Sequence, residues 1–205
     1  FSDPFGEGPT IQASSQRALD AGVSPGQILD VLATVSCPVP LLTMGYVNPA
    51  MRMGWEAFAA RSEAAGVSGT ILSDLVPDEA DAWVDACARH HLETVFLAAP
   101  TSTPERLNEV CRRSTGFVYA VSRTGVTGTE NEVPADVGQL VGRIRARTEL
   151  PVMVGFGIST PAHVARVCAV ADGAVVGSEV VRQLASGASR SAIVELIRSF
   201  KSATR

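Results

Sequence analysis

A chain of 205 residues, 46% hydrophobic and 19% charged, is long and apolar enough to bury a core, and its length points to a single domain over 1–205. Its formal net charge of −4, without a basic run or Lys/Arg stripe, argues against a nucleic-acid surface and leaves a small molecule or a protein as partner. No apolar run reaches the roughly 20 residues of a bilayer span, and the opening FSDPFGEGPT has neither a basic nor an apolar signal region, so no membrane is expected and the expected compartment is the cytoplasm.

The predicted elements start with two helices, PTIQASSQRALDAG (9–22) and SPGQILDVLATVS (24–36). From Pro38 onward, short apolar runs alternate with amphipathic stretches, the pattern of repeated βα units around a parallel sheet. VPLLTMGY (39–46) reads as a strand, and WEAFAARSEAAG (55–66) as a helix closed by Gly66. GTILSD (69–74) is the next strand, followed by DEADAWVDACARHH (78–91), a helix that opens with acids after Pro77. TVFLA (94–98) leads into TSTPERLNEV (101–110), with Ser/Thr caps and Pro104 in the first turn. FVYAV (117–121) precedes the glycine-containing stretch SRTGVTGTENE (122–132), long enough to act as a lid. PVMVG (151–155), the helix STPAHVARVCAV (159–170), GAVVG (173–177) and the helices SEVVRQLASG (178–187) and SRSAIVELIRSF (189–200) complete the chain.

Six strands can be read, whereas a sheet of this kind closes as a barrel at eight. The expected fold is therefore α/β, a (β/α)₈ TIM barrel lacking its first two strands, so that 1–205 forms one N-terminally incomplete barrel domain. A six-stranded open α/β sheet is the alternative.

The four cysteines are widely spaced, with no CxxC, and are expected to be buried reduced thiols. His90 and His91 close a helix and His163 lies near a helix start, positions that suit structural roles. No His/Cys/Asp cluster has ligand spacing, so no metal is expected. GFGIST (155–160) and VVGSEVV (175–181) each stand where a strand ends and a helix begins. Glycine there lets backbone N–H groups approach an anion, and the helix N-terminus adds partial positive charge. Gly157 and Gly177, accompanied by the hydroxyls of Ser159 and Ser178, are therefore phosphate candidates, with tight-turn glycines as the structural alternative. Asp3 and Glu7 lie on a Gly/Pro-rich loop before the first helix and are carboxylate candidates, though either also suits a cap or turn. Asp74 and Tyr119 are polar groups at or within strands.

FSDPxxxGPTIQ, LLTMGYVNP, SDLVPDE, APTSTPERL, FVYAVSRTGVTG, VGFGIS and GAVVGSEVV occur together in one order. In this the chain resembles the tryptophan synthase α subunits, over essentially its whole length. The resemblance implies a (β/α)₈ barrel and a retro-aldol cleavage of indole-3-glycerol phosphate to indole and glyceraldehyde 3-phosphate. It implies that the substrate phosphate meets Gly128, Gly157 and Gly177, with Ser178 as a helix-start donor and Phe156 beside the site. Tyr46, Ile71 and Tyr119 match pocket positions, Tyr119 being carried among the catalytic residues, and Thr127 matches a lid threonine. The implied partner is a β subunit in an α₂β₂ complex, met by Asp3, Pro4 and Asn48. Pyridoxal phosphate would belong to that partner, leaving no cofactor on this chain.

Two departures from the family pattern stand out. The family reads DGPTIQ where this chain reads EGPTIQ, so Glu7 occupies the place of the catalytic aspartate with a carboxylate one methylene longer. Because preorganised sites tolerate displacements of only about 0.5 Å, turnover lowered by roughly 100-fold or more is expected. The family's general acid/base glutamate is expected just upstream of Phe1. The alternatives to the lyase are a catalytically weak phosphate-binding homologue that regulates a β-type partner, and a stand-alone indole-glycerol phosphate lyase.

Overall fold

The computed structural model describes residues 8–122, 135–155 and 157–204. Six strands, β1 (Leu41–Gly45), β2 (Val67–Leu72), β3 (Glu93–Ala98), β4 (Phe117–Val121), β5 (Val152–Gly155) and β6 (Gly173–Ala174), form one sheet in chain order. Each is parallel to the next. Helices α1 (Pro9–Asp20) and α2 (Pro25–Leu32) precede β1, and α3 (Val47–Met53) and α4 (Trp55–Ala64) lead to β2. A 3₁₀ turn at Pro77–Glu79 and α5 (Asp81–Arg89) lead to β3, α6 (Pro104–Arg113) to β4, α7 (Ala135–Arg145) to β5 and α8 (Pro161–Cys168) to β6. Helices α9 (Ser178–Ala185) and α10 (Arg190–Ser202) follow.

The strand order never reverses. A doubly wound open sheet needs such a reversal to place helices on both faces, whereas a run of same-handed crossovers puts every helix on one side and turns the other face inward. The sheet curls accordingly, and α1, before β1, packs against α9, after β6. The described residues thus form a curled half-barrel of the TIM type, as expected, rather than an open α/β sheet.

Period-two alternation sorts the strand residues between the two faces. Phe96, Ala98, Val118, Ala120, Val152 and Val154 point to the helices and pack with Leu107, Leu140, Ile144, Val164 and Val167. Burying a side chain of this size contributes about 1.5–3 kcal/mol. Around β2, Leu72 joins Phe58 and Trp83, whose ring centroids lie 5.8 Å apart, while Trp55 packs against Trp83 at 5.5 Å with the rings tilted by 45°. Ile71, Val95 and Tyr119 occupy the inner face, flanked by Leu97, Phe117 and Val175.

Helix starts follow the chain's capping chemistry. Ser24 and Gln27 form a reciprocal capping box, and the side chains of Thr103, Thr160 and Ser189 each accept an amide of the first turn. Gly66, at φ 74, takes the left-handed position that ends α4.

Some expectations are corrected. The strand expected over 173–177 is reduced to Gly173–Ala174, although the Val175 amide still donates to the Val154 carbonyl at 2.8 Å; among the described residues β6 is an edge, with β5 alone to pair with. The helix expected from Asp78 begins at Asp81, because Pro77–Glu79 forms its own 3₁₀ turn. Cys87 and Cys111 are buried, whereas Cys37 is exposed, lying in the connection between α2 and β1 rather than in a packed element. Helices α3 and α7 were not anticipated.

Candidate active site

In parallel βα architectures, function gathers at the C-terminal ends of the strands, where the loops converge. Here β4 and β5 leave the sheet together, with the Ser122 amide donating to the Gly155 carbonyl at 3.1 Å. Beyond β5, Gly157 takes φ 77, a left-handed conformation that a side chain disfavours. Buried Ile158 anchors the turn below, and Gly157 and Ser159 are exposed above it.

The Thr160 hydroxyl accepts the His163 amide at 3.2 Å and so starts α8, while His163 reaches back so that its Nδ1 accepts the Ser159 amide at 3.4 Å. Burial, and then the charge of Arg166, hold the His163 pKa below its ordinary value. A neutral imidazole is what an Nδ1 acceptor requires.

One strand further, Gly177 and Ser178 are exposed at the start of α9, and a Cβ placed on Gly177 would meet nothing within 4 Å. The first amides of a helix lack intrahelical acceptors, and the helix dipole favours an anion there. Two exposed turns thus stand at the exits of adjacent strands.

Beneath them lies the inner wall. Tyr119 is 3% exposed, and its ring lies so close over Gly155 that a Cβ there would overlap the phenol. Gly155 therefore makes room for Tyr119, a relation that the spacing of the motif does not reveal. Ile71 is buried on the same face, against Val95. Tyr46 is half-buried as the N-cap of α3, and Asn48 is exposed in its first turn. Gly157, Gly177, Ser178, Tyr119 and Ile71 are thus gathered at the exits and inner face of the sheet, while Tyr46 and Asn48 stand at its β1 end. Asp3, Pro4, Glu7, Thr127, Gly128 and Phe156 lie outside the described residues.

Among the described residues no group of three or more His, Cys, Asp or Glu side chains could hold a metal ion, and no helix is long and apolar enough to cross a membrane. Burial pushes the Cys87 thiol up to about 12 and raises those of Cys111 and Cys168, so these sulfurs stay protonated and are poor nucleophiles.

The family model for "Tryptophan synthase alpha chain" matches residues 1–204. The chain belongs to the tryptophan synthase alpha chain family. It is 52% identical over 185 residues to the tryptophan synthase alpha chain of Geobacter sulfurreducens, an alignment covering 89% of this chain and 70% of that one. To the alpha chain of Solibacter usitatus it is 45% identical over 202 residues, covering 98% of this chain and 76% of the relative. A solved Mycobacterium tuberculosis tryptophan synthase superposes with a TM-score of 0.91 at 39% identity, covering all of this chain and 78% of the other.

Proposed function

We propose that the protein serves tryptophan biosynthesis as a carbon–carbon lyase, cleaving indole-3-glycerol phosphate to indole and glyceraldehyde 3-phosphate. The observation that carries this reading is the pair of exposed glycine turns at the exits of β5 and β6, in a chain whose family match runs over residues 1–204.

In this reading the phosphate is held by backbone donors at Gly128, Gly157 and Gly177, with the Ser178 hydroxyl at the start of α9. The indole lies along the inner wall beside Ile71, Tyr119 and Tyr46, with Phe156 next to the phosphate site and Thr127 on the lid. Cleavage removes a proton from the glycerol hydroxyl. As the aldehyde forms, the bond between the ring and the glycerol carbon breaks, its electron pair stays with the ring, and a proton is delivered to the indole carbon. A carboxylate near the indole nitrogen stabilises the charge that develops there, and Glu7 is the candidate. The proton transfers themselves belong to the glutamate that the family carries near the end of its second strand.

The product indole passes to a β subunit, in an α₂β₂ assembly with pyridoxal phosphate on the partner. Asp3, Pro4 and Asn48 are the proposed contacts, and the cytoplasm the proposed compartment. Neither the regulatory homologue nor the stand-alone lyase is favoured, since the relatives carry the alpha-chain name and the solved match is a tryptophan synthase. Indole release from indole-3-glycerol phosphate, measured with and without a β subunit, tests the proposal.

A further inference from the structure

The turns that leave β1 and β2 are joined by three hydrogen bonds. The Ser73 amide and hydroxyl both donate to the Gly45 carbonyl, at 3.0 and 3.1 Å, and the Val47 amide donates to Asp74 Oδ1 at 2.8 Å. Val47 is the first residue of α3, and the N-cap Tyr46 makes no side-chain cap of its own. The amide that opens α3 is therefore capped by a carboxylate 27 residues away, from the exit of the neighbouring strand. Such a bond is charge-assisted and lies along the helix dipole.

This helix is fixed by packing only in part, through Ala50 with Val47 and Met53 half-buried against the same core. It is seven residues long and only Ala50 in it is buried, while Met51 on its outer side is 57% exposed. Tyr46 stands between the two residues that the latch holds, Gly45 and Val47, and Asn48 follows directly. Ile71, on the inner wall, lies two residues before Ser73 on the strand that provides the latch.

We propose that Asp74 is a positioning residue whose carboxylate fixes the Tyr46–Asn48 turn, and thereby ties the pocket wall to the partner-facing loop. This rests on the reading above, in which Tyr46 borders the indole and Asn48 meets the β subunit. Asp74 acts by accepting a hydrogen bond and not by exchanging a proton, so Asn can replace it and Ala cannot.

The test uses the full-length gene product with a tryptophan synthase β subunit, comparing wild type, Asp74→Ala and Asp74→Asn. Asp74→Ala should speed exchange of the Val47 amide, raise KM for indole-3-glycerol phosphate and weaken β-subunit binding, each by about 10-fold, with a smaller change in kcat. Asp74→Asn should restore all three to within about threefold of wild type. If Asp74→Ala does not fold, Asp74→Ser, whose hydroxyl is too short to reach, replaces it with the same expectation. The proposal is overturned if the truncated variant leaves Val47 exchange, KM and binding within twofold, or if Asp74→Asn is as damaging as Asp74→Ala. A wild-type protein without turnover would count against the proposed function alone, because Val47 exchange and β-subunit binding still decide the role of Asp74.

Discussion

At the β4–β6 end of the sheet, the turn carrying Gly157 leaves β5, whose helix-facing Val152 and Val154 are fully buried beside Val118 of β4. At the β1–β2 end, the Tyr46 turn is held by the Ser73 and Asp74 hydrogen bonds. The Gly157 turn rests on a dense core, whereas the Tyr46 turn adds a few directional bonds to a helix that is only partly buried. A phosphate needs donors fixed to a fraction of an ångström, which a dense core supplies. A loop that meets a partner can depend on a latch that is weaker and easier to perturb.

The same kind of truncation should therefore act very differently at the two ends. Leu140→Ala, inside the cluster behind β4 and β5, should cost about 2–5 kcal/mol in denaturant unfolding. Met51→Ala, on the outer side of α3, should cost less than about 1 kcal/mol, because that side chain is 57% exposed. Equal losses would abolish the distinction between the two ends.

The inner wall offers a sharper test. Gly155→Ala places a methyl group against the Tyr119 ring and should destabilise the protein by about 1–3 kcal/mol. KM for indole-3-glycerol phosphate should rise with it, since the ring borders the proposed pocket. Unchanged stability and KM would show that the wall is pliant and not packed.

The smallest expected effect is a pH dependence on the β2 side, where α4 meets α5. His90 Nδ1 lies 2.9 Å from Glu63 Oε2 and Nε2 lies 2.8 Å from Glu56 Oε1, so both nitrogens must donate and the ring must be an imidazolium. Arg89 also pairs with Glu56, at 2.6 Å. Hydrogen bonds donated to Glu63 and then Glu56 raise the His90 pKa, and those that Glu56 accepts from Arg89 and then His90 hold its carboxyl at about 2. The His90 contribution to stability is fully present below the ordinary histidine range and is lost as pH rises through the raised value. That of Glu56 is present above the ordinary carboxylate range and is lost as pH falls toward about 2. A proton NMR titration should place His90 above the ordinary value, and His90→Gln should remove the decline in thermal stability that sets in as pH rises above the ordinary histidine range. Titration of His90 at or below the ordinary value would refute the pairing.

Local signals carried most of this architecture. The strand read over 117–121 coincides with β4, and those read over 94–98 and 151–155 differ from β3 and β5 by one residue at the N-terminal end. Buried parallel strands appear as short β-branched runs, and Thr103 and Thr160 announce their helices in sequence. Helix α3 was not legible because its cap is Asp74, far along the chain. Helix α7 was obscured by Gly138 and Gly142, which weaken helical propensity although Leu140 and Ile144 pack it firmly. At the site, strand-end glycines marked the two exposed turns proposed to hold the phosphate. The closeness of Gly155 to Tyr119 and the latch of Asp74 on Val47 depend on which strands become neighbours, and no local window contains that.

The most direct measurement is indole release from indole-3-glycerol phosphate by the full-length gene product, with and without a tryptophan synthase β subunit, for wild type and Glu7→Asp. Turnover that the β subunit stimulates, and that rises by roughly 100-fold when the aspartate is restored, is the predicted result. Absence of indole from both proteins under both conditions would contradict the account.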